Sequence, residues 1–416
     1  MLPGVSPNRS RGPVRPADSE ETPLTVVVSD APPPIAARTV PAPTPPLPPL
    51  GLRDKLFYGL GSVAFGVKDN GFSYLLLLFY NQVVGLSAPL VGLAIMIAMI
   101  FDAFLDPIVG QISDNWRSRW GRRHPFMYTA AVPVALSYLA LWNPPHGWPT
   151  SALFFYLVGI AIVIRTFITF YEVPSSALSA ELTQGYDERT VLLSYRYFFG
   201  WTGGLLLYLI TFSFLLVPDA HHRVGQTNPV GFSRYGLLAS VIMFTAIVIS
   251  SAGTQKRAAA FQPPPRRRLG LFGTLKEMIA TWSNRSFLFL TLSGLATSMA
   301  TGLGASMNIY FNTYFWEFSS HQIATLVAGV FISAFLALFA AAPLSRRLGK
   351  RAAAISLIVA SVVTGICPML LRLVGLMPPN HTPALFAIIF GQAIVSVALG
   401  IAGTTLVSAM IADVVE

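Results

Sequence analysis

From Gly51 onward the chain alternates between long apolar runs and short polar breaks. Each run reaches the ~20 residues that a helix needs to cross a bilayer. The pattern predicts ten helices: Lys55 to Val84, Ala88 to Asp114, Pro125 to Trp142, Ser151 to Leu182, Leu192 to Val217, Arg234 to Gly253, Phe287 to Trp316, Gln322 to Leu344, Ala352 to Leu376 and Pro383 to Ile411. The rhythm fails once, between the sixth and seventh runs, where PPPRRR leads into an amphipathic pattern. There Leu271, Phe272, Leu275, Met278, Ile279 and Trp282 recur at helical spacing, with Lys276 and Glu277 opposite them. Such a pattern suits a helix lying at a membrane surface.

Polar residues are sparse inside the runs, so those present stand out. The second run, MIFDAFLDPIVGQISDNWRSRWGRRHPF, holds Asp102 and Asp106. Four residues apart on a helix, they share one face with Cβ atoms ~5–6 Å apart. Two carboxylates at ~5 Å repel by ~3 kcal/mol at an effective dielectric of 20, so the pair calls for a shared proton or a bound cation. An ionisable residue in hydrocarbon is itself a functional signal. The simpler reading is that they anchor this helix to a neighbouring arginine.

Composition agrees with the membrane reading. The 416 residues are 53% hydrophobic and 11% charged, against roughly 25% charged in soluble domains. The net charge of +10 is not a nucleic-acid footprint, because the basic residues fall in breaks between runs. Arg117 to Arg123, Arg189, Lys256 to Arg285 and Arg346 to Arg351 alternate with breaks nearly free of Lys and Arg. The positive-inside rule then puts the N-terminus and the basic loops in the cytoplasm of an inner or plasma membrane. One cysteine, Cys367, excludes an internal disulfide and any multi-cysteine metal site. HExxH, GxSxG and Walker A patterns are absent, and no enzyme is expected.

Residues 1–50 hold 14 of the 32 prolines and read as a disordered cytoplasmic tail. The expected plan is a six-helix bundle over 51–254, a cytoplasmic linker over 255–285, and a partial second bundle of four helices over 286–416.

The chain resembles the glycoside–pentoside–hexuronide:cation symporters of the major facilitator superfamily, the melibiose permease-like group. The residues that carry the likeness are D-A-x-x-D-P-x-x-G (Asp102 to Gly110) followed by RSRWGRRHP (Arg117 to Pro125). Lys68-Asp69, Glu172-Val173-Pro174, Asp187 to Arg196 and Ala412-Asp413-Val414-Val415 add to it. The resemblance implies an all-α fold of two helical bundles with twelve helices, of which ten are present here, so the sequence reads as incomplete at its C-terminus. It implies a cation site at Asp102, Asp106 and Thr169, acting as a metal site only if the ion is Na⁺. Lys68, Asp69, Glu172 and Arg196 would line or brace a sugar site. Leu105 replaces an asparagine of the family's cation site, and Ser176 and Thr404 replace its sugar-stacking aromatics.

Asp114, Arg117, Arg119, Arg122 and Arg123 read as a cytoplasmic gate of breakable ion pairs, with Glu181, Asp187, Glu188 and Arg189 in the same network. Arg165, two turns from Glu172, is expected in a structural salt bridge within its helix or to the fifth. Asn308 and Asn312 are expected to hydrogen-bond between helices, and Lys68 with Asp69 to form a local ion pair. The functional expectation is alternating-access symport of a sugar or glycoside with H⁺ or Na⁺. A monomer is expected, with lipid and solute as partners and neither cofactor nor nucleic acid. A lysolipid or other non-sugar solute, or a non-transporting remnant or sensor, are the alternatives.

Overall fold

A computed structural model describes residues 50–183, 185–219, 222–259 and 285–415. Every regular element among them is helical. The expected tail other than Leu50, and the amphipathic stretch from Leu271 to Trp282, lie outside the described residues.

The first predicted span is a broken rod. It comprises α1 (Leu52–Leu60), α2 (Ser62–Asn70), a π-helical turn (Gly71–Leu75), the short α3 (Leu76–Leu78) and a second π turn (Phe79–Val83). Then follow α4 (Ala88–Asn115), α5 (His124–Leu141), α6 (Thr150–Leu182), α7 (Tyr186–Ile210) and α8 (Pro229–Ala259). After the undescribed gap come α9 (Arg285–Tyr310), α10 (Ser320–Leu348), α11 (Lys350–Leu373) and α12 (Pro383–Val415). Helix is present at each of the ten predicted stretches. Apolar periodicity misses their polar ends: α8 begins five residues before Arg234 because Asn228 accepts the Val230 N–H at 3.0 Å, a side-chain cap ahead of Pro229. Likewise α10 begins at Ser320 because Ser319 and Gln322 form a capping box.

Seven of the described helices are long and apolar enough to cross a membrane. Large apolar side chains on their outer faces are open, with Phe104 66%, Phe155 70% and Leu373 75% exposed. A water-facing surface would not carry rows of such residues. The protein is a multi-pass membrane protein.

Apolar residues face lipid on the outside, so helix association must rest on close packing and hydrogen bonds. α2 crosses α7 at Gly66 and Gly200, where a Cβ on Gly66 would land on the Gly200 carbonyl. α4 lies along α6, α5 lies between α6 and α8, and α1 runs beside both α7 and α8. Tyr58, Tyr138, Trp142, Tyr171, Phe212 and Phe232 fill the space between them. Tyr138 and Tyr235 share a buried hydroxyl–hydroxyl hydrogen bond of 2.9 Å. A second, smaller core of Ala337, Ala353, Ala354, Leu357, Ala402 and Leu406 joins α10, α11 and α12.

Candidate functional site

Two prolines interrupt the helical hydrogen bonding where the polar residues gather. Pro107 lies inside α4 and Pro174 inside α6. Each lacks the N–H that would close a helical bond four residues back, so each loosens the turn beside Asp106 or Glu172.

Asp102 and Asp106 face α6. The Thr169 hydroxyl lies 3.0 Å from Asp102 Oδ1 and 3.0 Å from Asp106 Oδ1. It has one proton, so it donates to only one carboxylate at a time. Asp102 has a second partner: Arg165, one turn before Thr169, brings Nη1 to 2.7 Å from Asp102 Oδ2. The Arg165 guanidinium also lies 5.4 Å from the centre of the Phe72 ring, a cation–π contact.

Lys68 arrives from α2 and Arg196 from α7, both largely buried at 8% and 7% exposure. Arg196 Nη1 donates to Ser175 Oγ at 3.1 Å and its head sits over the Phe65 ring. A cavity of about 310 Å³ is lined by Lys68, Asp102, Asp106, Thr169, Glu172 and Arg196, with Ser176 at its wall. Six of the seven residues expected for ion and solute thus converge on one space. Glu172 makes no ion pair among the described residues, which leaves its carboxylate to the cavity.

Asp69 does not join them. It is 53% exposed and outside the cavity lining, tied to Lys68 by an ion pair of 2.7 Å. Adjacent helical residues point about 100° apart, and here Lys68 takes the cavity side while Asp69 stays outside it. Arg165 also departs from expectation. Its partner is Asp102 on α4, 63 residues away, because α4 packs along α6 exactly where the guanidinium reaches out. Asn308 and Asn312 depart as well: Asn312 Nδ2 donates to Asn308 Oδ1 at 3.0 Å within one helix. Arg165 is the site residue that sequence reasoning assigned elsewhere; an arginine seven residues before Glu172 was the available signal.

A hard cation needs several oxygen ligands. The carboxylate pair and Thr169 supply three side chains, Leu105 supplies none, and one Asp102 oxygen is already committed to Arg165. Among the described residues no three His, Cys, Asp or Glu side chains gather as a metal cluster.

At the Arg-rich end, Gly121 takes φ +91°, a backbone open to glycine and costly for other residues. The turn sends Arg122 and Arg123 back over α4. Arg123 Nη2 meets Asp114 Oδ1 at 2.7 Å, and both arginines reach the buried Glu181 of α6. Arg117 and Arg119 stand apart from these pairs: Arg117 donates to the Trp116 carbonyl at 3.5 Å, and Arg119 lies over Trp120. Glu188 sits elsewhere too. It accepts from Thr183 Oγ1 at 2.5 Å and from the Leu50 N–H at 3.1 Å. These hydrogen bonds hold its carboxyl below the usual glutamate range, the Thr183 bond contributing most. The Asp187 side chain lies outside the described residues.

The fold, helices packed around a polar cavity, is of the major facilitator type. The structure is similar to that of a D-xylose–proton symporter, with a TM-score of 0.53 and 15% identity over 86% of each chain, a likeness of fold alone. The family described as MFS/sugar transport protein matches residues 57–416, and the chain belongs to it, within its glycoside–pentoside–hexuronide:cation symporter branch. Among its relatives is a Synechocystis protein named uncharacterized symporter sll1374, 38% identical over 52% of this chain and 40% of that protein. The isoprimeverose transporter of Lactiplantibacillus pentosus is 24% identical over 55% of this chain and 47% of its own length. The chain thus spans about half or less of the length of the curated relatives it matches.

Proposed function

We propose that this protein is a secondary transporter carrying a sugar or glycoside together with a cation, H⁺ or Na⁺. The observation that carries this reading is the convergence of Lys68, Asp102, Asp106, Thr169, Glu172 and Arg196 on one cavity between spanning helices. Its volume of about 310 Å³ is at the small end of ligand pockets, ~300–1,000 Å³. Charged hydrogen-bonding groups suit a polyhydroxylated solute: Glu172 accepts from hydroxyls, and the Arg196 fork and Lys68 donate to them. The cation binds at Asp102, Asp106 and Thr169.

Coupling follows from linkage. A cation at the carboxylate pair relieves their repulsion and steadies α4 against α6, which shapes the cavity wall for solute, and solute returns the same free energy to the cation. The two helical halves, 51–254 and 286–416, rock about this site and expose it alternately. The basic loop around Arg117 to Arg123 lies in the cytoplasm with the N-terminus, in an inner or plasma membrane, and its ion pairs with Asp114 and Glu181 open and close with the cycle. The protein needs no cofactor for this.

The test is uptake by the purified full chain in proteoliposomes, using labelled pentoses, hexoses and small glycosides. An imposed proton or sodium gradient is expected to drive accumulation above equilibrium. Binding of a sugar with equilibration only, under either gradient, overturns the symport reading.

A further inference from the structure

Arg165 places a fixed positive charge where an exchangeable ion would otherwise sit. Its Nη1 is 2.7 Å from Asp102 Oδ2, its side chain is 11% exposed, and Phe72 covers its guanidinium face. The pair joins two long helices that pack against each other along their length, so the charge is held in place. The neighbouring carboxylate, Asp106, has only the Thr169 hydroxyl as a hydrogen-bond partner among the described residues. Lys68 is balanced by Asp69 outside the cavity and Arg165 by Asp102, which leaves Asp106 and Glu172 against Arg196 alone. Two negative charges and one positive leave one to be compensated, room for one further cation.

We propose that Arg165 is the ion-selectivity residue of this site: it acts as a tethered counter-ion on Asp102 that shuts out Na⁺ and leaves a single exchangeable positive charge. The inference rests on the reading of Asp102, Asp106 and Thr169 as the coupling site. Two physical reasons support it. A sodium ion between the carboxylates would stand within ~5 Å of the guanidinium, and that repulsion at an effective dielectric of 20 weakens its binding on the order of a hundredfold. It would also have to share Asp102 with a donor that satisfies that carboxylate in a fixed geometry, and Leu105 offers no replacement oxygen. Of the two candidate coupling ions, Na⁺ is the one this site rejects.

The experiment measures ²²Na⁺ binding to the purified full chain in choline buffer, with no solute present. Wild type and Arg165→Lys, which keeps the charge, are expected to show no saturable binding at physiological sodium. Arg165→Gln and Arg165→Met are expected to gain saturable binding by about a hundredfold, and adding Asp106→Asn is expected to abolish the gain. Saturable binding by wild type at low millimolar sodium overturns the proposal, as does a neutral variant that is monodisperse and gains nothing. Aggregation of both neutral variants beside a sound lysine variant makes Arg165 a packing residue and overturns it as well. Sodium binding is read without transport, so these outcomes are separate from the uptake assay: absent symport with a gain of sodium binding defeats the functional reading and not the role of Arg165.

Discussion

Arg123 reaches nine residues back to Asp114, with Nη2 2.7 Å from Oδ1, and this contact folds the Arg-rich loop onto the end of α4. Arg122 and Arg123 then share Glu181 on α6, whose side chain is 4% exposed. All of these contacts lie between α4, the loop and α6. A buried carboxylate that neutralises two guanidinium groups is a costly one to lose, because its removal leaves buried charge behind. Glu181→Gln is expected to lower stability by about 3 kcal/mol, seen as a clear drop in the thermal unfolding midpoint in detergent. Arg119→Gln, whose head rests on Trp120, is expected to change it little. Equal midpoints for the two variants would remove the contrast between the Glu181 ion pairs and the Arg119 contact with Trp120.

The Gly66–Gly200 crossing sets the distance between α2 and α7, and hence between Lys68 and Arg196. Gly66→Leu is expected to yield no monodisperse protein, since the added side chain meets backbone rather than a flexible neighbour. Leucine at Gly92, where a Cβ would meet open space, is the control. A well-behaved Gly66→Leu chain on size-exclusion chromatography contradicts the crossing.

Thr169 bridges the two carboxylates with one hydroxyl. Thr169→Ser keeps the hydroxyl and is expected to retain gradient-driven uptake. Thr169→Val keeps the shape and removes a charge-assisted bond worth ~1.5–3 kcal/mol, so cation affinity is expected to fall at least tenfold. The apparent cation affinity of uptake in proteoliposomes decides between them, and equal values for Val and Ser would sink the bridging role.

Glu172 lines the cavity and holds no ion pair among the described residues. Glu172→Gln is therefore expected to leave the unfolding midpoint nearly unchanged while raising the KM for solute about tenfold, the scale of one charge-assisted hydrogen bond. A lowered midpoint with an unchanged KM would make Glu172 structural.

Glu188 carries a pH signature outside the spans, ahead of the apolar stretch that begins at Val191. Its folded pKa is depressed by bonds from Thr183 and Leu50. A depressed acid contributes stability above its unfolded value, ~4.3, and loses it as pH falls through the lower folded value. Protection of the Leu50 amide from hydrogen exchange is expected to persist through neutral pH and to fade only in that acidic window. Glu188→Gln is expected to lose the protection at every pH. Leu50 protection that is the same in wild type and variant would show the contact to be unimportant.

Local pattern was enough to read the ten helical stretches, the family and the carboxylate pair. Apolar runs of membrane-crossing length can only be helices in lipid, and the 3.6-residue period puts Asp102 and Asp106 on one face whatever surrounds them. The π turns in the first span, the seating of Arg165 on Asp102 and the exclusion of Asp69 from the cavity were decided by tertiary structure alone. Spacing along a helix says which residues share a face, but a partner 63 residues distant depends on which helix packs beside which and at what register. The same holds for the Arg-rich loop: its charge was visible in the chain, while the division between Arg122 and Arg123 on Glu181 and Arg117 and Arg119 apart from it came from a left-handed turn at Gly121. Periodicity is a property of one helix; charge pairing at this site is a property of two helices in contact.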